Sequence, residues 1–229
     1  MKKTAIDTWL INGNITIFCG SHTDSFKKDI LASSLLGELV AAQKSKTREV
    51  SWPTYIDTVQ KIFWTVNSRA TQQLEFENSS LLSIVEQSAG SALPQNERQA
   101  LANALVQLVN LQSDSPAART IVEKLQQNTT VSNTTPDTLV STAVLLTIIR
   151  NDKTVVTLQV AFKTDQEITI DILEQPVFNS TNEHKTNIWL MSSVLDGRQY
   201  NRVRDDVLKK LGNRMETELL QIHVPTDLR

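Results

Sequence analysis

The alternation of apolar and polar residues in the last third of the chain constrains the fold most strongly. Every second residue from Val156 to Phe162 is apolar, and Thr157 and Gln159 lie between them. The same alternation recurs from Ile168 to Ile172. Because successive side chains of a strand point to opposite faces, this pattern predicts β-strands. Together with the apolar run over 139–150 and a candidate strand over 186–192, it predicts an antiparallel meander with one buried face.

The end of the chain changes from a period of two to a period of three to four. Apolar residues from Tyr200 through Val207 and Leu211 to Ile222 fall on one helical stripe, which is typical of an amphipathic helix. The pattern predicts a long C-terminal helix over 197–222. We expect this helix to cover the meander, because each apolar surface needs another to be buried against.

The beginning of the chain combines a hairpin signal with helical periodicity. Asn12-Gly13 separates two apolar runs, and these two residue types tolerate the positive φ angles of a tight hairpin turn. Helical spacing then predicts a series of helices over 24–46, 53–69, 79–88, 94–112 and 116–125. Strands and helices do not alternate as in βαβ units, so the predicted fold class is α+β.

A polar stretch divides the chain. Residues 126–138 are dense in Gln, Asn, Thr and Ser, which indicates a loop or linker. We therefore predict a hairpin plus helix-rich region over 1–127 and a sheet plus C-terminal helix over 139–229. One compact domain that carries this linker is the alternative.

Composition excludes several classes of function. The 229 residues carry a net charge of −2, so no overall field directs the chain to nucleic acid. The longest apolar run, over 139–149, is shorter than the roughly 20 residues of a membrane-spanning helix, and we expect no transmembrane segment. The start lacks an apolar signal-peptide core, which predicts a cytoplasmic protein. Membrane-surface association and non-classical export stay open.

The densest group of reactive side chains lies near the N-terminus. Cys19, His22 and Asp24 follow the predicted hairpin and precede the first helix. A thiolate beside a helix N-terminus and an imidazole has a lowered pKa, so these residues form a candidate catalytic set. In the competing interpretation, Cys19 is a small core residue, while Thr23 or Asp24 caps the helix.

Metal and cofactor signals are weak. Cys19 and His22 have the spacing of half a zinc site, but the other half would have to come from His184 or His223, and neither lies in a paired motif. Glycine-rich phosphate loops and a Gly-x-Ser-x-Gly elbow do not occur in the sequence. We therefore expect no metal and no cofactor.

Tryptophans provide the candidate interface residues. Trp52 and Trp64 are most simply core residues, but tryptophan also anchors protein interfaces. The first functional hypothesis is a non-enzymatic interaction protein with a protein partner or a second copy of itself. The second is a hydrolase or transferase that uses Cys19 as nucleophile. The third is a delivered or lipid-associated effector-type factor.

Overall fold

The N-terminal hairpin has the predicted turn. The structure is a computed structural model that describes residues 5–45, 47–76, 79–90, 92–131, 139–181 and 185–222. Strands β1 (Ile6–Ile11) and β2 (Asn14–Cys19) pair antiparallel. Asn12 and Gly13 have φ angles of 47° and 82°, as a type I′ turn requires at both central positions.

One mixed sheet organises the described residues. Its strand order is β3-β7-β6-β5-β2-β1-β8, and β4 pairs with β5 at one side of this path. Among the described strands, β2 and β5 pair in parallel and all other neighbours pair antiparallel. The remaining strands are β3 (Trp64–Leu74), β4 (Thr130–Val131), β5 (Val140–Ile149), β6 (Val155–Thr164), β7 (Thr186–Leu195) and β8 (Leu219–Ile222). The α+β class and the antiparallel β5-β6-β7 meander are confirmed.

Helices cover both faces of this sheet. Helices α1 (Asp24–Lys44) and α2 (Arg48–Lys61) contribute to one hydrophobic core, which we call the α1-side core. The opposite core, the α4-side core, contains residues of three further helices. These are α3 (Leu81–Gly90), α4 (Gln95–Val109) and α5 (Pro116–Gln127). The expectation of one buried sheet face was therefore too simple, because residues on both faces of β2 and β6 are buried.

The long C-terminal helix is not present. The segment forms α6 (Gly197–Tyr200), α7 (Arg204–Leu211) and α8 (Arg214–Thr217), and it ends in β8, which pairs with β1. Gly212 has φ 56° and stops α7, as glycine often does after a helix. The apolar stripe nevertheless indicated burial correctly, since Tyr200, Val207 and Leu211 lie in the α1-side core.

Two other elements differ from the prediction. The helix expected over 53–69 runs instead from Arg48 to Lys61, and β3 begins at Trp64. Thr47 caps this helix by accepting a hydrogen bond from the N–H of Val50, so Pro53 lies inside it. The strand expected over 168–172 is a short 3₁₀ helix, Ile170–Leu173, whose apolar side chains are buried without strand pairing. Residues 132–138 of the predicted linker lie outside the described residues.

An ion pair fastens the C-terminal segment to α1. Arg204 on α7 donates from Nε and Nη2 to the two carboxylate oxygens of Asp29, each at 2.7 Å. The guanidinium carbon of Arg204 also lies 5.9 Å from the ring centre of Tyr200. Such a bidentate pair has a fixed geometry as well as a favourable energy, and it holds α7 against the first half of the chain.

Gly37 sets the distance between α1 and α2. A Cβ atom at this position would lie 2.9 Å from both Tyr55 Cε2 and Val59 Cγ1 of α2. We predict that Gly37→Ala lowers the free energy of unfolding, because overpacking costs about 1–3 kcal/mol and exceeds the helix-propensity gain of about 1 kcal/mol. Urea unfolding measures the change. Gly197→Ala is the control, since no atom lies within 4 Å of its added Cβ, and equal effects of the two substitutions would contradict the prediction.

Candidate binding cavity

The predicted catalytic set does not have nucleophile geometry. Cys19 is 0% exposed within the α4-side core, and burial together with the charge of Glu97 raises the pKa of its thiol to about 12. His22 directs Nε2–H to the carbonyl oxygen of Cys19 at 3.0 Å rather than to the thiol. Asp24 is exposed at the start of α1, where Thr23 supplies the cap. The exposed thiol that this hypothesis requires is not found.

The environment of His22 favours its neutral form. Its ring stacks on Phe26, with centroids 5.4 Å apart, and meets Phe18 edge-on at 5.8 Å. Burial is the main cause that lowers the pKa of His22, and the positive charges of Lys27 and Lys153 add to it. His22 is therefore an aromatic packing residue that binds one backbone carbonyl.

Both candidate interface tryptophans are in the α1-side core. Trp52 is 7% exposed and stacks on Tyr55, and Trp64 is 2% exposed. A side chain buried in this way cannot anchor a partner without a rearrangement of the core. Among the described residues, no group of three or more His, Cys, Asp or Glu side chains could hold a metal, and His184 and His223 lie outside those residues.

Thiol chemistry tests the placement of Cys19. We predict that the folded protein reacts with a thiol reagent at pH 8 far more slowly than the same protein in guanidinium chloride, because the reactive thiolate is scarce and shielded. Absorbance of the released chromophore measures both rates. Comparable rates in the two conditions would contradict the buried position.

A cavity at the β8 end of the sheet is the strongest candidate site. Its volume is about 500 Å³, within the roughly 300–1,000 Å³ that is typical of ligand pockets. Four elements line it: the strands β1 and β8, the first turns of α1, and the C-terminal segment around α8. The lining residues are Asp7, Trp9, Asp24, Lys27, Lys28, Leu31, Met215, Glu216, Leu219 and Gln221.

The local structure explains why these side chains converge. Asp24, Lys27, Lys28 and Leu31 have the i, i+3, i+4, i+7 spacing that places residues on one face of a helix. Alternate strand positions supply Trp9 of β1 and the residues 219 and 221 of β8, and Trp9 lies opposite Gln221 in the pairing register. The cavity is therefore formed by one helix face and one strand face that meet at an edge of the sheet.

An internal ion pair stiffens one wall of the cavity. Lys27 Nζ donates to Asp7 at 2.6 Å, and Gln221 Nε2 donates to the other carboxylate oxygen at 2.9 Å. Burial alone would raise the pKa of Asp7, but the hydrogen bonds outweigh burial and hold this pKa below its ordinary value. Asp7 is thus an ionised carboxylate with both oxygens hydrogen-bonded, and the ammonium group of Lys27 is paired with it.

The remaining lining residues divide into an apolar floor and a charged rim. Trp9, Met215 and Leu219 are partly exposed and pack against the α1-side core, and Leu31 belongs to that core. Asp24, Lys28 and Glu216 are exposed at the opening. An apolar floor beneath charges of both signs is suited to a molecule with an apolar part and a polar end.

A second cavity is smaller and polar. It has a volume of about 210 Å³ and lies where α1, the end of α5 and the β1–β2 turn approach one another. Lys124 Nζ lies 3.9 Å from a carboxylate oxygen of Glu218 at this site. The volume falls below the usual range for ligand pockets, so the β8-end cavity is the better candidate.

The face of the sheet on the α1 side is polar near its centre. Asn14 Nδ2 donates to Thr147 Oγ1 at 3.2 Å, and Thr147 Oγ1 lies 3.5 Å from Thr157 Oγ1. Other buried polar atoms, Thr16 Oγ1 and Gln159 Nε2, have no hydrogen-bond partner among the described residues. An unsatisfied buried polar atom costs roughly 1–3 kcal/mol, so each of these two atoms lowers the stability of the fold.

A matched pair of threonines tests this polar contact. We predict that Thr16→Val stabilises the protein by about 1 kcal/mol, because it removes a buried hydroxyl that has no partner. Thr147→Val should destabilise it, because Asn14 then loses its hydrogen-bond acceptor. Chemical unfolding of both variants measures the difference, and changes of the same sign would refute this account.

Comparison with known proteins gives matches in shape alone. No sequence-family model matches the chain, and no curated protein matches it. The activated Cyt2Ba monomer from Bacillus thuringiensis subsp. israelensis is 12% identical, with 80% of this chain and 98% of that chain covered and a TM-score of 0.44. A delta-endotoxin is 13% identical, with coverage of 79% and 80% and a TM-score of 0.42. The Evf virulence factor is 10% identical, with coverage of 91% and 83% and a TM-score of 0.41. With TM-scores below 0.5, these likenesses carry no weight for function.

Proposed function

We propose that this protein is a lipid-associated factor that binds one amphipathic molecule in the β8-end cavity. The observation that carries the proposal is the combination of an apolar floor with a rim of both charges in one volume of about 500 Å³. Among the described residues, no helix has both the length and the apolar character needed to cross a bilayer. The proposed association is with single lipid molecules or with a membrane surface.

The floor suits an apolar chain. Trp9, Met215 and Leu219 are partly exposed, so covering them with a hydrocarbon chain removes apolar area from water. That transfer is worth roughly 25 cal/mol for each Å² buried. Methionine is flexible and adapts to irregular apolar surfaces, and the indole of Trp9 presents an amphipathic ring at the boundary between apolar and polar surroundings.

The rim suits a zwitterionic head group. Lys28 supplies a positive charge for a phosphate, whereas Asp24 and Glu216 supply negative charges for an ammonium group. Lys27 is engaged by Asp7 at 2.6 Å, so the head group does not have to displace that pair. A head group with one charge of each sign matches this arrangement better than a purely anionic one, because the two rim carboxylates would repel a second anion.

A buried polar group without a partner beside the cavity favours entry of a ligand at this end of the molecule. The cavity lies between α1 and the β1–β8 edge, and its Trp9 lies opposite Thr16, whose buried hydroxyl has no partner among the described residues. Elements with poorly satisfied contacts separate at lower free energy than well-packed ones. A small outward movement of the start of α1 would enlarge the opening.

Calorimetric titration with a zwitterionic lysolipid, lysophosphatidylcholine below its critical micelle concentration, tests the proposal. We expect saturable binding to one site and a loss of about tenfold in affinity, or about 1.4 kcal/mol, in Met215→Trp. The larger side chain fills the floor without adding charge. Val106→Trp is the matched control, because Val106 is 58% exposed on α4 and does not line the cavity.

Absence of saturable binding, or equal weakening in the two variants, would contradict the cavity as the lipid site. Flotation with phosphatidylcholine vesicles then separates two modes of association. Flotation that Met215→Trp reduces indicates that the same cavity binds lipid within a bilayer. Lysolipid binding without flotation indicates that the protein takes up single molecules.

A protein-binding role is favoured by a separate observation. The outer edge of β3 has no partner strand among the described residues, and an unpaired edge can bind another strand through its backbone groups.

A further inference from the structure

The edge strand β3 presents the longest unpaired edge among the described strands. It has 11 residues, more than any other described strand. One of its edges pairs with β7, and the other has no partner among the described strands. Residues from Asn67 to Leu74 are exposed apart from Ala70, which is half-buried. Leu74 is 36% exposed.

A β-bulge divides this strand into two parts. The register with β7 shifts between Val66 and Ser68, so Asn67 is an extra residue without an opposite neighbour. Bulges disrupt the ladder locally and increase the twist, which protects the first part of the edge from pairing. From Ser68 to Leu74 the register with β7 is regular, and the free edge of this part has no proline and a single charge.

The charges around this segment are complementary to those of a second copy. Arg69 and the exposed Glu75, just after the strand, are an even number of residues apart, so a continued strand places them on one face. In an antiparallel pair of two β3 strands centred on Gln72, Arg69 of each copy lies opposite Glu75 of the other. Thr71 then lies opposite Gln73. A pair centred on Arg69 would instead bring two guanidinium groups together, which is unfavourable.

We propose that β3 pairs antiparallel with β3 of a second copy, with Gln72 at the twofold axis. The pairing joins two sheets edge to edge and satisfies backbone groups that otherwise bind water. We expect a symmetric homodimer rather than a complex with an unrelated peptide, because the pairing of Arg69 with Glu75 requires the β3 sequence on both sides of the contact. The inference goes beyond lipid binding and does not depend on the cavity.

Charge reversal tests the register by sedimentation velocity over a range of protein concentrations. We expect a concentration-dependent dimer whose dissociation constant rises about tenfold or more in Arg69→Glu and in Glu75→Arg, because each change sets like charges opposite twice. The double variant restores the opposite charges, so its dissociation constant returns toward that of the parent. Glu75→Arg also leaves intact the hydrogen bond from Arg69 to Gln60, which separates pairing from local structure.

Arg98→Glu is the matched control, since Arg98 is exposed on α4 and should leave the dimer unchanged. Circular dichroism verifies that each variant is folded. A monomer at every concentration overturns the proposal. The proposal is also overturned if neither single charge reversal changes the dissociation constant of the dimer, or if the double variant dimerises more weakly than either single variant.

Disulfide trapping adds a geometric test. Directly opposite residues of an antiparallel pair have Cβ atoms about 4.5–5.5 Å apart, so Gln72→Cys should form a covalent dimer under mild oxidation. The natural Cys19 is buried and gives no background. Val106→Cys, an exposed position on α4, is the control. Equal rates of cross-linking in the two variants would place the interface elsewhere.

Discussion

The parallel contact between β2 and β5 is the constraint on which the rest of the structure depends. It sets Ile15 to Phe18 beside Leu146 to Ile149 and so joins the N-terminal hairpin to the meander in one sheet. All six residues of β2 are buried. Parallel neighbours cannot be joined by a tight turn and need a long connection. Here the connection contains α1, α2, β3 and the three helices of the opposite layer, which places helices on both faces of the sheet.

The two faces of the sheet are chemically unequal. On the α4 side, β6 contributes Val156, Leu158, Val160 and Phe162, all buried in one core. On the α1 side, the same strand contributes Thr157 and Gln159, which are also buried. Apolar contacts tolerate small movements without losing a specific partner, whereas buried polar atoms need defined partners. Within β6, the α1 side is therefore the polar one, and the β8-end cavity lies on that side of the sheet.

Sequence patterns identified those elements whose signals are local. Asn12-Gly13 determines the hairpin turn by itself, and Ser115-Pro116 marks the start of α5 through a cap that the structure contains. The alternation of apolar and polar residues along β6 predicted the strand correctly. It also predicted that the face with the polar residues is exposed, which is wrong. Thr157 and Gln159 are polar in any window of sequence, and only the packing of distant parts of the chain against this face of the sheet buries them. Pairing partners of this kind are tertiary information.

The same reasoning explains the errors near α2 and at the C-terminus. The apolar stripe that predicted a helix runs from Ile56 to Val66 and continues across Phe63. The φ angle of Phe63 is 70°, which a helix cannot contain, so the residues after it, which form a strand, were wrongly predicted as helix. At the C-terminus, the stripe through Tyr200, Val207 and Leu211 predicted burial, but Gly212 interrupts the helix. Met215 and Leu219, which belong to the same stripe, then line the cavity. The candidate site was thus invisible in the sequence because it is assembled from three separated segments.

The positions of the two proposed surfaces follow from the strand order. The path runs from β3 at one edge to β8 at the other, with five strands between them. At roughly 4.8 Å for each neighbouring pair of strands, these edges are well separated, so a second copy on β3 does not cover the cavity. The two edge strands also differ in the length of backbone that they offer for pairing, since β8 has four residues and β3 has 11. A short edge is a poor template for another strand, whereas a long one presents enough backbone for pairing. A ligand at one edge and a second copy at the other are therefore compatible, and each interaction can be disrupted without touching the residues that carry the other.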